Sequence, residues 1–274
     1  MTLIDTPKPA DRTPGRIRAR RSLPTLRTIS ALILREMVTS YGRSPGGYLW
    51  AILEPALGTA LLIAIFSAGF KNPPMGSHFA MYYASGIVPF YFWMEVTNKT
   101  STALQYSRPL LVYPSVTFLD AILARLFLTV TTQLLVAYFL FSFVILVLGA
   151  PVSLNAPRIA LSFSMALALA VGLGTFNCYA FDVAPLWHRL YSIITRPLVF
   201  LSGVIFLHDK VPEPYRTWME WNPLVHVVGM MRSGFYARYD AAYADPLYVF
   251  VVAIVLLAAG LLFLRRYHRD ILNR

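Results

Sequence analysis

The sequence predicts an all-α integral membrane protein. Six transmembrane helices are expected, with an amphipathic interface helix before the first and a re-entrant hairpin before the last. Three observations carry this prediction. Hydrophobic residues make up 57% of the 274-residue chain, charged residues only 14%, and the mean hydropathy is +0.57, a composition that soluble domains do not show. The apolar residues gather into runs of about 20, the length that crosses a ~30 Å hydrocarbon core at ~1.5 Å per residue. The basic residues behind the net charge of +11 lie mostly between those runs. Little chain is left for a soluble domain, so the membrane part is the protein.

Residues 1–24 are polar and rich in Pro and Arg. They lack the apolar core of a signal peptide and bury too little apolar surface to offset ordering, so they are expected to be disordered on the cytoplasmic side. The first 43 residues carry nine Lys or Arg against three acids. Topology accounts for such a run, because cytoplasmic flanks are Lys/Arg-rich. Attraction of an anionic lipid or substrate is compatible with that account. A nucleic-acid partner is disfavoured, because the basic run leads straight into an apolar span. Residues 25–44, TLRTISALILREMVTSYGRS, form the amphipathic surface helix, and Pro45-Gly46-Gly47 hinges it to the first span.

The spans are placed at 49–70, 80–97, 119–148, 158–180, 190–207 and 247–264, and residues 25–274 make one transmembrane domain. Each span must be helical, since the bilayer core offers no water to satisfy backbone polar groups. The third is longer than a crossing needs, so its first turns, with Asp120 and Arg125, are expected to project into the cytoplasm. The fourth carries Ser164, Ala168 and Gly172 at four-residue spacing, and Ala166, Ala170 and Gly174 likewise, a pattern for close helix–helix approach. Six spans put both termini on one side. With the termini inside, 18 Lys/Arg fall on cytoplasmic segments and 6 outside, which orients the N and C termini to the cytoplasm.

Two connections stand out. Residues 98–118 are polar and then apolar, with Pro109 and Pro114; the readings are a plain loop or a short surface helix that docks a motor subunit. Residues 208–246 lie outside, and their stretch Leu224–Met231 is too apolar for a loop and too short to span. A re-entrant or interfacial hairpin fits, with Tyr215, Trp218, Trp221, Phe235, Tyr236 and Tyr239 at the interface. An aromatic belt explains these rings; stacking on sugar faces near an exit is the functional reading.

Motif chemistry mostly excludes. None of the four lysines, Lys8, Lys71, Lys99 and Lys210, ends a Walker A loop, and neither HExxH nor GxSxG occurs. No catalytic residue and no metal site are assigned, and any ATPase must be another chain. The single cysteine, Cys178, makes neither a disulfide within the chain nor a metal site. His226 reads as a hydrogen-bonded structural histidine, because no second ligand lies near it in sequence. The charges inside spans, Glu54, Glu95, Arg125 and Arg196, are functional candidates by position.

The stretches Arg35-Glu36, Tyr41-Gly42 and Gly47-Tyr48-Leu49-Trp50-Ala51-Ile52-Leu53-Glu54-Pro55 resemble the lead-in of capsule polysaccharide export permeases. Trp221-Asn222-Pro223-Leu224-Val225-His226-Val227-Val228 matches the same family, as do Gly86-Ile87-Val88-Pro89-Phe90 and Asp120 through Arg125. The likeness runs from about residue 26 to the last span and is nearest to the group-two capsule exporters of Gram-negative bacteria. The longer Arg-rich start is a departure. The resemblance implies six helices per subunit, a homodimer in the bacterial inner membrane, and a dimer of separate ABC ATPase subunits that binds the ATP and Mg. It also implies a lipid-linked acidic polysaccharide as substrate, with periplasmic and outer-membrane export partners. No cofactor is expected on this chain.

Residue readings and resemblance together nominate four groups. Arg35, Tyr41, Arg43, Trp50 and Glu54 are the expected substrate entrance. Arg125 and Arg196 are expected along the translocation path. Trp218, Trp221 and His226 are expected at the periplasmic exit, and Lys99, Thr100, Gln105, Tyr106 and Arg108 at the ATPase docking surface. The competing readings are an O-antigen or teichoic-acid permease, a secondary transporter, for which no inverted repeat is seen, and a membrane-embedded transferase, for which no His or Asp pair is evident.

Overall fold

The computed structural model describes residues 24–41, 46–69, 73–111 and 116–273. Among these are ten α-helices and one 3₁₀ turn, with no strand. The helices are α1 (Pro24–Tyr41), α2 (Leu49–Gly69), α3 (Phe79–Ser101), α4 (Ala103–Ser107), α5 (Phe118–Leu146), α6 (Ala156–Val183), α7 (Pro185–Leu201), α8 (Tyr215–Glu220), α9 (Pro223–Phe235) and α10 (Pro246–Asn273); the 3₁₀ turn is His208–Lys210. The expected disorder of residues 1–24 falls, but for Pro24, outside the described residues.

Among the described residues, four helices are long and apolar enough to cross a membrane: α2, α5, α6 and α10 up to Arg266. The other two expected spans fall short for separate reasons. In α3 the tyrosines, Glu95 and Lys99 lower the apolarity, and α7 has only 17 residues. Yet α3 is the centre of the molecule, with every residue from Phe79 to Phe90 buried. Its polar groups are sheltered by α5, α6 and α9 rather than by lipid, so burial within the protein replaces hydropathy.

Local chemistry sets the helix ends. A capping box starts α5: the Thr117 hydroxyl accepts from the Asp120 amide at 3.2 Å, and the Asp120 carboxylate accepts from the Thr117 amide at 2.9 Å. Asp120 is therefore a buried cap rather than a charge projecting into solvent. Asn155 and Asn222 cap α6 and α9, each with a proline in the first turn. Gly46 and Gly47 have φ of 94° and 50°, the left-handed turn that leads into α2 and that glycine adopts without strain.

The helix in the region of the fifth expected span is α7, which begins at Pro185, with that proline in its first turn and His188 and Arg189 following on the helix. It ends at Leu201, before Gly203 at φ 71°. Arg196 therefore lies in the last third of α7 rather than two turns from its start.

The small-residue pattern of α6 works on two faces. A Cβ on Gly172 would sit 2.4 Å from the Ala253 carbonyl oxygen of α10, and one on Gly174 would sit 2.7 Å from the Thr100 side chain of α3. Ser164, from the same sequence pattern, is exposed and bonds only the Ala160 carbonyl. Gly172→Ala is expected to push α6 and α10 apart and to cost about 1–3 kcal/mol, read as a lower thermal midpoint in detergent. Gly58→Ala, where nothing lies within 4 Å of the added carbon, is expected to be neutral in the same assay.

Candidate functional site

At one end of the bundle, a single side chain joins three helices. Arg125 of α5 is 7% exposed. Its Nε lies 3.3 Å from Glu36 Oε1 of α1. Its NH1 donates to the Thr102 carbonyl at 3.2 Å, and its guanidinium stacks over the Tyr106 ring of α4 at 4.3 Å. Tyr106 also shares a hydrogen bond with Thr39 of α1 at 2.9 Å, and Gln105 donates to Asp182 at the end of α6 at 3.2 Å. The short helix α4 is thus tied to α1, α5 and α6. Burial pushes the Glu36 carboxyl above its ordinary value, and the nearby Arg125 works against that rise.

This arrangement revises several expectations. Arg125, expected along the path, is a buried clamp whose charge is taken up by a carboxylate, a carbonyl and a ring. Glu36 pairs with Arg125 rather than with its neighbour Arg35, which is half-buried. Among the expected docking residues, Lys99, Gln105, Tyr106 and Arg108 are exposed. Thr100 is wholly buried against Gly174 and cannot meet a partner.

Beside the clamp a polar cavity of about 640 Å³ opens between α2, α3 and α5. Glu36, Glu54, Glu95, Lys99, Thr132 and Gln133 are among its walls. Tyr48, at the foot of α2, lines it too and hydrogen-bonds Thr132. A second cavity of about 300 Å³ continues from it and shares Pro55, Gly58, Glu95 and Gln133, but its remaining walls are mostly apolar. Of the expected entrance residues, Glu54 lies in this cleft. Trp50 is 44% exposed and does not line it. Arg43 lies outside the described residues, as does the side chain of Tyr41, the last residue of α1.

The other end is built from residues 202–245. Tyr215 and Trp218 on α8 and Trp221 just after it are exposed, as a belt or a stacking surface requires. Phe235 and Tyr239, expected at the interface, are buried instead; Phe235 packs on Phe141 with ring centres 4.6 Å apart. His226 is 5% exposed. Its Nδ1 accepts from the Asp245 amide at 3.0 Å and its Nε2 donates to the Glu220 carbonyl at 2.8 Å. Both nitrogens are occupied by backbone, so the His226 ring, expected at the exit, ties α9 to the Glu220 carbonyl and the Asp245 amide. Arg196 and Pro197 lie on the exposed side of α7, on a face shared with Ile193 and Phe200.

Arg232, one of the six basic residues on the segments expected outside, is not a loop charge. It is 1% exposed on α9, donates to the Val204 carbonyl at 2.7 Å, and stacks over Tyr82 at 4.2 Å. One signal was available: it ends the apolar run Leu224–Met231 with no acid close by, a pattern that calls for carbonyl or ring partners.

Long apolar helices packed through small residues, with a buried polar clamp at one end, describe a membrane protein. Residues 27–236 match the sequence model of the ABC-2 type transporter family. The chain belongs to that family. Its curated relatives include the polysialic acid transport protein KpsM of Escherichia coli, 29% identical over 235 residues, which cover 85% of this chain and 91% of KpsM. The capsule polysaccharide export inner-membrane protein CtrC of Neisseria meningitidis serogroup A is 27% identical over 89% of this chain and 92% of its own. BexB of Haemophilus influenzae, with the same description, is 25% identical over the same shares. The ABC-2 match spans α1 through α9, so the clamp, the cleft and the far-side helices all fall within the family's common region.

Proposed function

We propose that this chain is the permease subunit of an ATP-driven exporter. It moves a lipid-linked, acidic capsular polysaccharide from the cytoplasm across the bacterial inner membrane. The observation that carries the reading is the match to three kinds of capsule or polysialic acid export proteins over about nine-tenths of their length. The absence of a Walker A loop supports a separate ATPase that holds the ATP and Mg. The working unit is a homodimer with an ATPase dimer at the α4 end, both termini cytoplasmic, α3 and α7 completing six spans, α8 and α9 forming the re-entrant hairpin, and periplasmic and outer-membrane proteins receiving the product.

In this reading Gln105, Tyr106 and Arg108 meet the ATPase. A push on α4 then reaches α1 and α5 through Tyr106, Arg125 and Glu36, and α6 through Gln105 and Asp182. Arg35, with Arg43, meets the substrate's lipid phosphate. Trp218 and Trp221 stack on sugar faces at the exit.

The deciding experiment is removal of the chain in its own host. Lipid-linked glycan is expected to accumulate on the cytoplasmic side and to vanish from the surface, with recovery on re-expression. Undiminished surface glycan would overturn the proposal. The purified chain is expected to show no ATP turnover until its ATPase is added.

Arg196 tests the path. A charge on an exposed apolar face costs commonly ~2.5–3.5 kcal/mol on insertion scales, and a wet passage between two copies of α7 offsets that cost. Arg196→Lys is expected to export almost normally, Arg196→Leu poorly and Arg196→Glu worst, at equal protein levels. Equal export by all three would move the path away from α7.

A further inference from the structure

The cleft between α2, α3 and α5 has the shape and charge of a lipid site. Its wide part, about 640 Å³, is polar, and its narrow continuation, about 300 Å³, is walled by Leu62, Val88, Val136, Ala137 and Leu140. Because the two share four wall residues, they form one passage that runs from a headgroup-sized chamber into an acyl-sized shaft. The polar chamber lies at the end of the bundle where α2 begins and α3 ends, next to the surface helix α1. That is the depth of a headgroup, with the shaft pointing into the bilayer.

The charges in the chamber select among lipids. Glu36 is committed to Arg125. Glu54 and Glu95 make no ion pair among the described residues, and Lys99 is the one cation among the chamber's walls. Two carboxylates and one ammonium repel a headgroup that offers only phosphate. They fit one that carries an ammonium for the glutamates and a phosphate for Lys99. Gln133 lines both cavities, where its amide faces the junction of chamber and shaft and can reach a phosphate or ester oxygen there.

We infer that this cleft binds a zwitterionic amino-phospholipid of the surrounding bilayer, with its ammonium between Glu54 and Glu95, its phosphate toward Lys99 and one acyl chain along α3 and α5. The bound lipid completes the packing of α2, whose apolar span is mostly exposed in the single chain. The inference rests on the chain's being a membrane protein and not on what it exports.

The test is native mass spectrometry of the full-length chain released from nanodiscs holding equal phosphatidylethanolamine, phosphatidylcholine and phosphatidylglycerol. Phosphatidylethanolamine is expected to be retained over phosphatidylglycerol. Glu95→Gln is expected to weaken its retention about tenfold, the size of one lost charge-assisted contact, and Glu95→Asp to preserve most of it. Gly58→Leu is the second variant. Gly58 lines both cavities and a Cβ there meets nothing within 4 Å, so a leucine projects into the passage and is expected to expel the lipid, with an unchanged thermal midpoint in detergent showing that the variant is folded. Phosphatidylglycerol retained equally well would overturn the amine preference and point to an anionic lipid, the substrate's own anchor included. Retention indifferent to both Glu95→Gln and Gly58→Leu would mean adventitious annular lipid and overturn the site.

Discussion

Arg125→Leu is expected to destabilise the protein by about 3–5 kcal/mol and to abolish export, because it leaves the Glu36 carboxylate buried without its counter-charge. Two other contacts at the α4 end go with the guanidinium: the bond to the Thr102 carbonyl and the stack on Tyr106. Glu36→Gln is expected to cost less, since Arg125 keeps the carbonyl and the ring. The double variant Arg125→Leu with Glu36→Leu is expected to recover part of the loss, since replacing both members of a buried pair by apolar groups removes the unpaired charge.

The pH dependence carries a sign. Burial already raises the Glu36 carboxyl above its ordinary value in the folded protein, against the pull of Arg125. A raised carboxyl in the folded state binds protons more tightly than in the unfolded state, so this group's contribution falls as pH rises from the ordinary value through the raised one. Removing Arg125 removes the opposing attraction and raises Glu36 further. The Arg125→Leu deficit is therefore expected to be smaller at about pH 5 than at about pH 8, read as thermal midpoints in detergent. A deficit independent of pH would mean that packing, not charge, holds the clamp.

The second large effect is expected at Arg232. Its guanidinium reaches the Val204 and Phe206 carbonyls, which follow the end of α7, while stacking on Tyr82 of α3. Arg232→Leu leaves those carbonyls without a donor and is expected to cost about 3 kcal/mol or more. Arg232→Lys is expected to recover less than half, because an ammonium is a point donor and cannot reach two carbonyls while lying flat on a ring. Tyr82→Phe keeps the ring but loses its bond to the Ile205 carbonyl at 3.1 Å, so about 1 kcal/mol is expected. A lysine variant as stable as the original would reduce Arg232 to a simple cation.

Much of the architecture was legible because hydropathy is additive along a chain. The apolar runs at 49–70, 119–148, 158–180 and 247–264 became α2, α5, α6 and α10 with ends shifted by a few residues at most, apart from the longer tail of α10. The hinge at Gly46 and Gly47 was legible because only a few residue types enter the left-handed region freely. The start of α7 was less legible because polar His188 and Arg189 follow the Pro185 that begins it. Phe235 and Tyr239 were misplaced because an aromatic ring suits an interface and a core equally well.

The site was far less legible. Glu36 and Arg125 are distant in sequence, and each has nearer oppositely charged neighbours that it does not use. Arg232 looked like one more outside charge until α9 was seen to bury it. What the sequence by itself determined is the class of protein: a helical membrane chain with a basic N-terminal stretch and a family signature from α1 to α9. Tertiary structure alone decided which charges are spent on holding helices together and which line a cleft. The physical reason is that hydropathy belongs to each residue, whereas pairing and burial belong to neighbours that only the packing of α1, α3, α5 and α9 creates.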